Sequence, residues 1–435
     1  MHARIRLVPG RASQCIRCFN ARPLLEEVLN DLEAADRNVT ARKNWVNIDE
    51  LKKLAEDAQL NQISDELPSR LHTLVKGLPN WTHEAVRNAK EPIVTHEFGS
   101  KVDPPARRMP ENAKGSGLLL QNSDYTMICG KRTYFLTGDL VRLERALIRY
   151  TLDRLRNHGF QLVSVPDLFR AEDIELCGMQ TTGQRSQVYH VDMASNNAKL
   201  CLSGTSEIAL ANLFKGKDIP RQHLPKKLCS ISRCYRGEVS TFKEEKGLYR
   251  VHQFTKVEMF GLTEGSYERS QELQQEFLQI EMSLFADLGL HFRVLDMPPA
   301  DLGDSAYRKF DIEAWMSGHG FYGEISSTSD CTSYQANRLG ITSEGKYVHT
   351  VNGTACAIPR MLLTIGETHA KTNGILRVPQ VLNKYLDKEE LRPEHAFRRW
   401  KYLPYYYFEN RLADENEGNR AYVATNKTDV SKSST

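Results

Sequence analysis

The sequence predicts an α+β protein that begins with a short helical region. Three observations carry that expectation. Residues 230–258 alternate as two strands joined by a charged, glycine-containing loop. Residues 140–150 and 273–284 repeat apolar side chains at helical spacing, and residues 24–36 do the same near the start of the chain. With 435 residues, 40% hydrophobic and 26% charged, there is material for one main core plus an extension.

In chain order, residues 1–22 hold Arg4, Arg6, Arg11, Arg17 and Arg22, no lysine, and no acid before Glu26. Arginine-rich and acid-free is the composition of a mitochondrial transit peptide, and the missing long apolar stretch argues against a secretory signal. Without those five arginines the net charge falls from +3 to −2, so any RNA contact must come from local patches. Leu24–Asp36 reads as one helix, Glu50–Gln59 as a second started by Asn47 or Asp49, and Ser64–Lys76 as a third ending at Gly77-Leu78-Pro79. Residues 94–130, with Pro104, Pro105 and Pro110, read as an irregular linker. Asp139 then caps a helix carrying Leu140, Leu143, Leu147 and Tyr150, which Gly159 ends, and Phe160–Val165 is a strand stopped by Pro166. Glu268–Leu288 is a helix with Leu273, Phe277, Ile280 and Leu284 in its stripe, and His291–Leu295 and Tyr307–Trp315 are strands. Residues 409–435 are polar and are expected to be a disordered tail. No run approaches the ~18 apolar residues of a membrane span. Nine scattered cysteines, of which Cys15 and Cys18 form a CxxC inside the leader with no second pair, make neither a zinc set nor a disulfide framework, which fits a reducing compartment.

The charged strand pair carries the chemistry. Alternation puts Arg236 and Glu238 on one face of the first strand; the second carries Arg250, His252, Lys256 and Glu258 among Val251, Phe254 and Val257. A strand pair on a core normally turns one face apolar, whereas this face holds fixed charges of both signs. That suits a substrate with both phosphate and amine groups. On pattern alone, an ion-paired surface hairpin also fits.

Cys234-Tyr-Arg-Gly-Glu238 and the run Gly247–Phe260 resemble motif 2 of the class II aminoacyl-tRNA synthetases, and specifically that of the seryl-tRNA synthetases. Helix, strand and Pro166 resemble motif 1, Gly204–Glu207 the Thr-x-Glu loop, Glu324–Ser327 the Glu-[Ile/Val]-Ser-Ser element, and Val351–Arg360 motif 3. The resemblance implies an antiparallel sheet flanked by helices, preceded by a short N-terminal helical arm. It implies a transit peptide at 1–22, a shortened tRNA-binding region at 23–90, a linker at 91–129, a class II catalytic domain at 130–390 and a largely disordered extension at 391–435. The implied activity is that of a serine–tRNA ligase using ATP and Mg2+ to activate L-serine and charge mitochondrial tRNA-Ser in the matrix, as a homodimer or a heterodimer with a paralogue. A catalytically silent paralogue that binds RNA or a partner is the alternative.

The same resemblance distributes roles. Arg236 and Arg360 are the catalytic arginines, the first bridging the serine carboxylate and the α-phosphate and the second reaching the γ-phosphate. Serine is held by Thr205, Ser206, Glu207, Arg236, Glu258 and Thr354. ATP is held by Arg236, Gly237, Glu238, Val251, His252, Gln253 and Phe254 of motif 2, the last stacking on adenine, with Glu324, Ile325, Ser326, Ser327 and Arg360. Glu324 and Ser327 are the metal ligands, oxygen donors as Mg2+ prefers. Asn352 or Thr354 is expected to cap the helix after motif 3, since Pro359 is tolerable only in its first turn. Three features depart from the family. The segment from Asp49 to Leu78 has room for only two short helices where the family has a long coiled coil. Asp330 and Ser333 stand where Asn and Asp are usual, and Lys246 stands in the motif 2 loop where arginine is common.

Overall fold

The structure is a computed structural model that describes residues 22–60, 69–105, 108–115, 118–120, 130, 132–183, 186–192, 199–238, 247–371 and 375–392. Of the expected leader at 1–22, residues 1–21 with their cysteines lie outside the described residues, as do Lys246 and the polar tail.

Eight strands build the main sheet: β1 (Ile93–Phe98), β2 (Gln161–Leu162), β3 (Lys226–Tyr235), β4 (Gln253–Thr263), β5 (Phe292–Asp296), β6 (Arg308–Met316), β7 (Phe321–Thr332) and β8 (His349–Ala357). Their order is β1-β5-β6-β7-β8-β4-β3-β2, antiparallel throughout except for the short parallel pair β2–β3. The described helices used below are α1 (Arg22–Asn30), α2 (Leu32–Ala41), α3 (Ile48–Leu60), α4 (Ser69–Gly77), α5 (Gly138–Asn157), α6 (Glu207–Asn212), α7 (Tyr267–Asp287) and α8 (Ile358–Thr368). Helices α5, α7 and α8 pack on the sheet, and their stripes, with Leu143, Leu147, Phe277 and Leu362, share one buried cluster with Val257, Met259 and Ile312 of the strands. Odd-numbered Val257 and Met259 point into this core, so even-numbered Phe254, Lys256 and Glu258 point away from it. That period-2 split produces the site. Among the described residues, no helix is long and apolar enough to cross a membrane.

Several elements differ from expectation for local reasons. The first expected helix is two. Asp31 leaves the helical region (φ −145°) and its carboxylate accepts from the Ala34 N–H at 2.9 Å, capping α2. Asp139 does not cap α5; Thr137 occupies that position, and Asp139 lies inside the first turn, buried, with both oxygens 3.1 Å from Lys388 Nζ. Gly159 follows the end of α5 at φ +80°, as a left-handed terminator should. The strand expected at 160–165 is reduced to β2. Within the segment read as linker, Ile93–Phe98 pairs with β5 as an exposed edge strand.

The four N-terminal helices, of 9, 10, 13 and 9 residues, fall mostly below the ~12–15 residues at which an isolated helix is marginal in water. Packing holds them: Leu25, Val28, Val39, Leu51, Leu71, Leu74 and Val75 form a separate buried cluster. Full burial of each leucine contributes about 1.5–3 kcal/mol. The described helices between residues 22 and 77 thus form a compact unit around one core.

Candidate active site

The antiparallel ladder of β3 and β4 ends at Tyr235 opposite Gln253. Arg236 and Glu238 therefore lie just beyond β3, and Arg250 and His252 just before β4, although the Arg236 N–H still donates to the His252 carbonyl at 2.9 Å. Beside them opens a cavity of about 530 Å³ walled by Thr205, Glu207, Arg236, Glu238, Tyr249, Arg250, Val251, Phe254, Lys256, Glu258, Glu324, Ile325, Ser326, Ser327, Thr354 and Arg360, among others. Side chains from four separated stretches meet there because β4, β7 and β8 are neighbours in the sheet and α6 begins at Glu207.

One end is built for negative charge. The Arg360 guanidinium lies in the first turn of α8, behind Pro359, and donates through Nη1 to Glu324 Oε2 at 3.1 Å and to the Glu324 carbonyl at 2.8 Å. It also sits 4.5 Å from the centre of the Tyr249 ring, and its Nε donates to the Tyr249 carbonyl at 3.2 Å. Burial opposes ionisation of Glu324, but Arg360, then Lys309 and Arg236, outweigh it and hold the carboxyl at about 2. Lys309 also lines this end, its Nζ 2.9 Å from Asp311, whose carboxyl burial pushes up to about 7. The Arg236 guanidinium stands 5.5 Å from the Phe254 ring centre, and Arg250 Nη1 donates to the buried Glu238 Oε2 at 3.0 Å.

The other end is built for positive charge. Thr354 of β8 lies opposite Glu258 of β4, and its hydroxyl donates to Glu258 Oε2 at 3.4 Å. Lys256 Nζ is 2.5 Å from Glu258 and donates to Thr205 Oγ1 at 2.9 Å. Burial raises the Glu258 carboxyl above the usual range despite Lys256. Glu207 Oε1 accepts from Gln335 Nε2 at 2.6 Å and Asn352 Nδ2 at 2.9 Å. Burial, with Glu258 nearby, pushes the Glu207 carboxyl up to about 7. Two carboxylates share one lysine here, so the site has room electrostatically for a second cation such as an ammonium group.

Not every expected residue faces the cavity. Ser206, Gly237, His252 and Gln253 are not in its wall. The His252 ring is engaged by Tyr189 Oη at 2.6 Å and the Arg236 carbonyl at 2.9 Å, and Gly237 N–H donates to the Gln187 carbonyl. Ser326 is in the wall, but its hydroxyl donates to the Thr354 carbonyl at 2.6 Å, and Ile325 sits in the core cluster. Neither Asn352 nor Thr354 caps α8; both are strand residues, and Ala357 is the N-cap. Lys256, Lys309, Gln335 and Asn352 received no site role from the sequence. For Lys256 the signal was present, because it alternates with Phe254 and Glu258. Asp330 lies away from the cavity, its carboxylate taken by Ser270 Oγ and the Thr332 N–H, each at 2.8 Å.

Known proteins share both the sequence and the architecture. The family described as tRNA synthetase class II core domain (G, H, P, S and T) matches residues 189–369. The mitochondrial serine–tRNA ligase of Mus musculus is 40% identical over 342 residues, covering 76% of this chain and 65% of that protein. The serine–tRNA ligase of Treponema denticola is 34% identical over 396 residues, covering 86% of this chain and 92% of that protein. Among solved structures, seryl-tRNA synthetase from Pyrococcus horikoshii complexed with ATP superposes with a TM-score of 0.69 at 26% identity, covering 86% of this chain and 92% of that one. The chain thus spans just under two thirds of the length of the mammalian mitochondrial relatives it matches but nearly all of the bacterial one. Its antiparallel sheet, its cavity between β4, β7 and β8 and this near full-length similarity agree, and the chain belongs to the seryl-tRNA synthetase family.

Proposed function

We propose that the chain is a serine–tRNA ligase. It makes seryl-adenylate from L-serine and Mg-ATP, then passes serine to the 3′ end of mitochondrial tRNA-Ser in the mitochondrial matrix. The observation that carries this reading is one continuous cavity with one end lined by arginines and the other by paired carboxylates. The mitochondrial relatives support the compartment.

The serine carboxylate attacks the α-phosphorus in line and pyrophosphate leaves. Catalysis is then positioning and charge neutralisation. Arg236 forks between the serine carboxylate and the α-phosphate, and Phe254 stacks on adenine with Glu238 at its edge. Arg360 takes the γ-phosphate, at the positive end of α8. Glu207 accepts from the serine ammonium. Glu258 and Thr354 meet its hydroxyl, with Thr205 beside them. A buried acceptor left unpaired rejects alanine by about 10⁴-fold, and threonine is excluded by size. The residues fit Mg2+: Glu324 is an ionised carboxylate beside Ser327, both hard oxygen donors in the cavity wall. Bound there, Mg2+ supplies neutralisation of phosphate charge.

We assign residues 1–22 to a transit peptide, 23–90 to a shortened tRNA-binding region, 91–129 to a linker, 130–390 to the catalytic domain and 391–435 to an extension. The protein works as a dimer through α5 and β2. Serine-dependent ATP–pyrophosphate exchange by the purified chain, with threonine and alanine as controls, tests the reading. Exchange with serine alone is expected, followed by charging of tRNA-Ser; no exchange with any amino acid refutes it.

A further inference from the structure

The N-terminal helical unit reaches into the wall of the cavity. Arg42, which follows α2, is only 4% exposed. Its guanidinium donates to the carbonyls of Ala306 at 2.9 Å and Gly303 at 2.5 Å, and to Thr82 Oγ1 at 3.4 Å. Burial lowers its pKa to about 10, so it remains charged at neutral pH. Asp304 is gripped from two sides: Asn44 Nδ2 of the helical unit donates at 3.0 Å, and Gln180 Nε2 of the wall donates at 3.1 Å. Asn80, just after the unit, donates its N–H to the Asp304 carbonyl at 2.7 Å and its amide to the Ser305 carbonyl at 2.9 Å.

The gripped segment belongs to the amino-acid end of the cavity. Residues 303–306 line it together with Gly178 and Thr205. Gly178 packs so closely on Ser305 that a Cβ there would meet the Ser305 Cβ at 2.9 Å. Gln335, the donor to Glu207, also donates to the Cys177 carbonyl at 3.3 Å. Residues 303–306 belong to no strand; they follow a single turn at Pro299–Asp301 and precede β6. Arg42 thus contacts the carbonyl of buried Ala306 and that of Gly303, which also accepts from the Ala306 N–H at 3.0 Å, and so ties both ends of this short turn.

We propose that the helical unit builds one wall of its own chain's amino-acid pocket, with Arg42 as the positioning residue that holds residues 303–306 beside bound serine. This rests on reading the cavity as the serine and ATP site. It gives the shortened N-terminal region a task in the tRNA-independent half-reaction. The wall moves when Arg42 is lost, and small displacements of positioning groups cost up to about 10²-fold.

The test is ATP–pyrophosphate exchange without tRNA, using the full chain carrying Arg42→Ala, Arg42→Lys or Asn44→Ala. Arg42→Ala should raise the serine KM about tenfold or more while the ATP KM stays within about twofold, a split that a general loss of structure does not produce. Arg42→Lys should recover part of the loss. Asn44→Ala, which removes the Asp304 contact together with the contacts to the Gly77 carbonyl and the Val46 N–H but leaves Arg42 in place, should raise the serine KM by a smaller factor. Unchanged kinetics, or equal losses toward serine and ATP, overturn the proposal. Should the unsubstituted chain show no serine-dependent exchange, the activity reading fails on its own. Hydrogen exchange at the amides of residues 303–307 then decides the wall. Faster exchange in Asn44→Ala supports it, and unchanged exchange overturns it.

Discussion

Glu324 and Glu207 line one cavity, yet Glu324 is held at about 2 while Glu207 is pushed up to about 7. Burial works against both charges. What differs is the company. Glu324 has Arg360 at 3.1 Å, with Lys309 and Arg236 close by. Glu207 has neutral amide donors and a second carboxylate, Glu258; Lys256, which pairs with Glu258, and Arg236 favour its charge too weakly to offset burial. The arginine end thus carries cationic charge ready for an anion, and the carboxylate end carries charge that is incomplete until a cation arrives. On the proposed assignment, binding of serine and ATP would satisfy these opposite needs in one step and bring a carboxylate nucleophile and a phosphate together despite their mutual repulsion.

The largest effect belongs to the arginine end. Arg360→Ala should lower ATP–pyrophosphate exchange by on the order of 10³-fold, the scale of losing a preorganised charge aimed at the reacting phosphates. The fold should persist, since α8 remains anchored by Met361, Leu362 and Ile365 in the core. A variant with unchanged thermal unfolding and near parental exchange would break the comparison at its stronger end.

The next effect belongs to Glu207. Glu207→Gln keeps the amide contacts but removes the charge, so the serine KM should rise by roughly tenfold to 10²-fold, the worth of a hydrogen bond to a charged group. Acidification should do the same by degrees. Glu207 takes up a proton near pH 7, so the serine KM should climb as pH falls from 8 to 6. The ATP KM should stay level or fall over that range, because Glu324 stays ionised and protonation of Asp311 leaves the Lys309 charge free for phosphate. A parallel rise in both constants would contradict the division. Linkage gives a second readout. The folded carboxyl sits above its ordinary value of 4.5, so its contribution to stability is present at low pH and is lost as pH rises through about 7. The serine-free protein should therefore unfold at lower temperature at pH 8 than at pH 6, and saturating serine should narrow that gap.

The two ends were unequally legible in the sequence. Resemblance to motifs 2 and 3 supplied Arg360, Phe254 and Glu258, and short-range rules agree with their places: Pro359 confines Arg360 to the first turn of α8, and a strand turns Phe254 and Glu258 to one face. The same rules misplaced Asn352, whose Asn-Gly-Thr surroundings imitate a helix cap; the neighbouring ladder with β4 kept it in a strand and sent its amide to Glu207. Gln335 and Arg42 were out of reach for a different reason. Their partners lie 128 and 264 residues away, and nothing in a local window encodes such a pairing. The helical unit was legible as helices but not as a compact body, since Asp31 reads equally well as an exposed position within a single long helix.

Asp330 supplies the smallest predicted effect and a control for the pH argument. Burial pushes its carboxyl up to about 6, close enough to Glu207 in value to mimic its titration. Its place in the fold is different: its oxygens meet Ser270 of α7 and the Thr332 N–H, away from the cavity wall. Asp330→Asn can preserve the contact to Thr332, and Ser270 can turn to accept from the new amide. The serine KM should then change by less than about twofold, within the range of substitutions that disturb no cavity or charge pair. Its climb below pH 7 should persist unaltered. Stability should lose one pH-dependent component, because a carboxyl raised from 3.8 to about 6 favours folding at low pH and loses that contribution as pH rises through 6. The variant should therefore gain on the parent as pH rises. If Asp330→Asn instead flattened the pH dependence of the serine KM, the titrating group would lie on the helix side of the sheet, and the contrast between Glu207 and Glu324 would lose its solution signature.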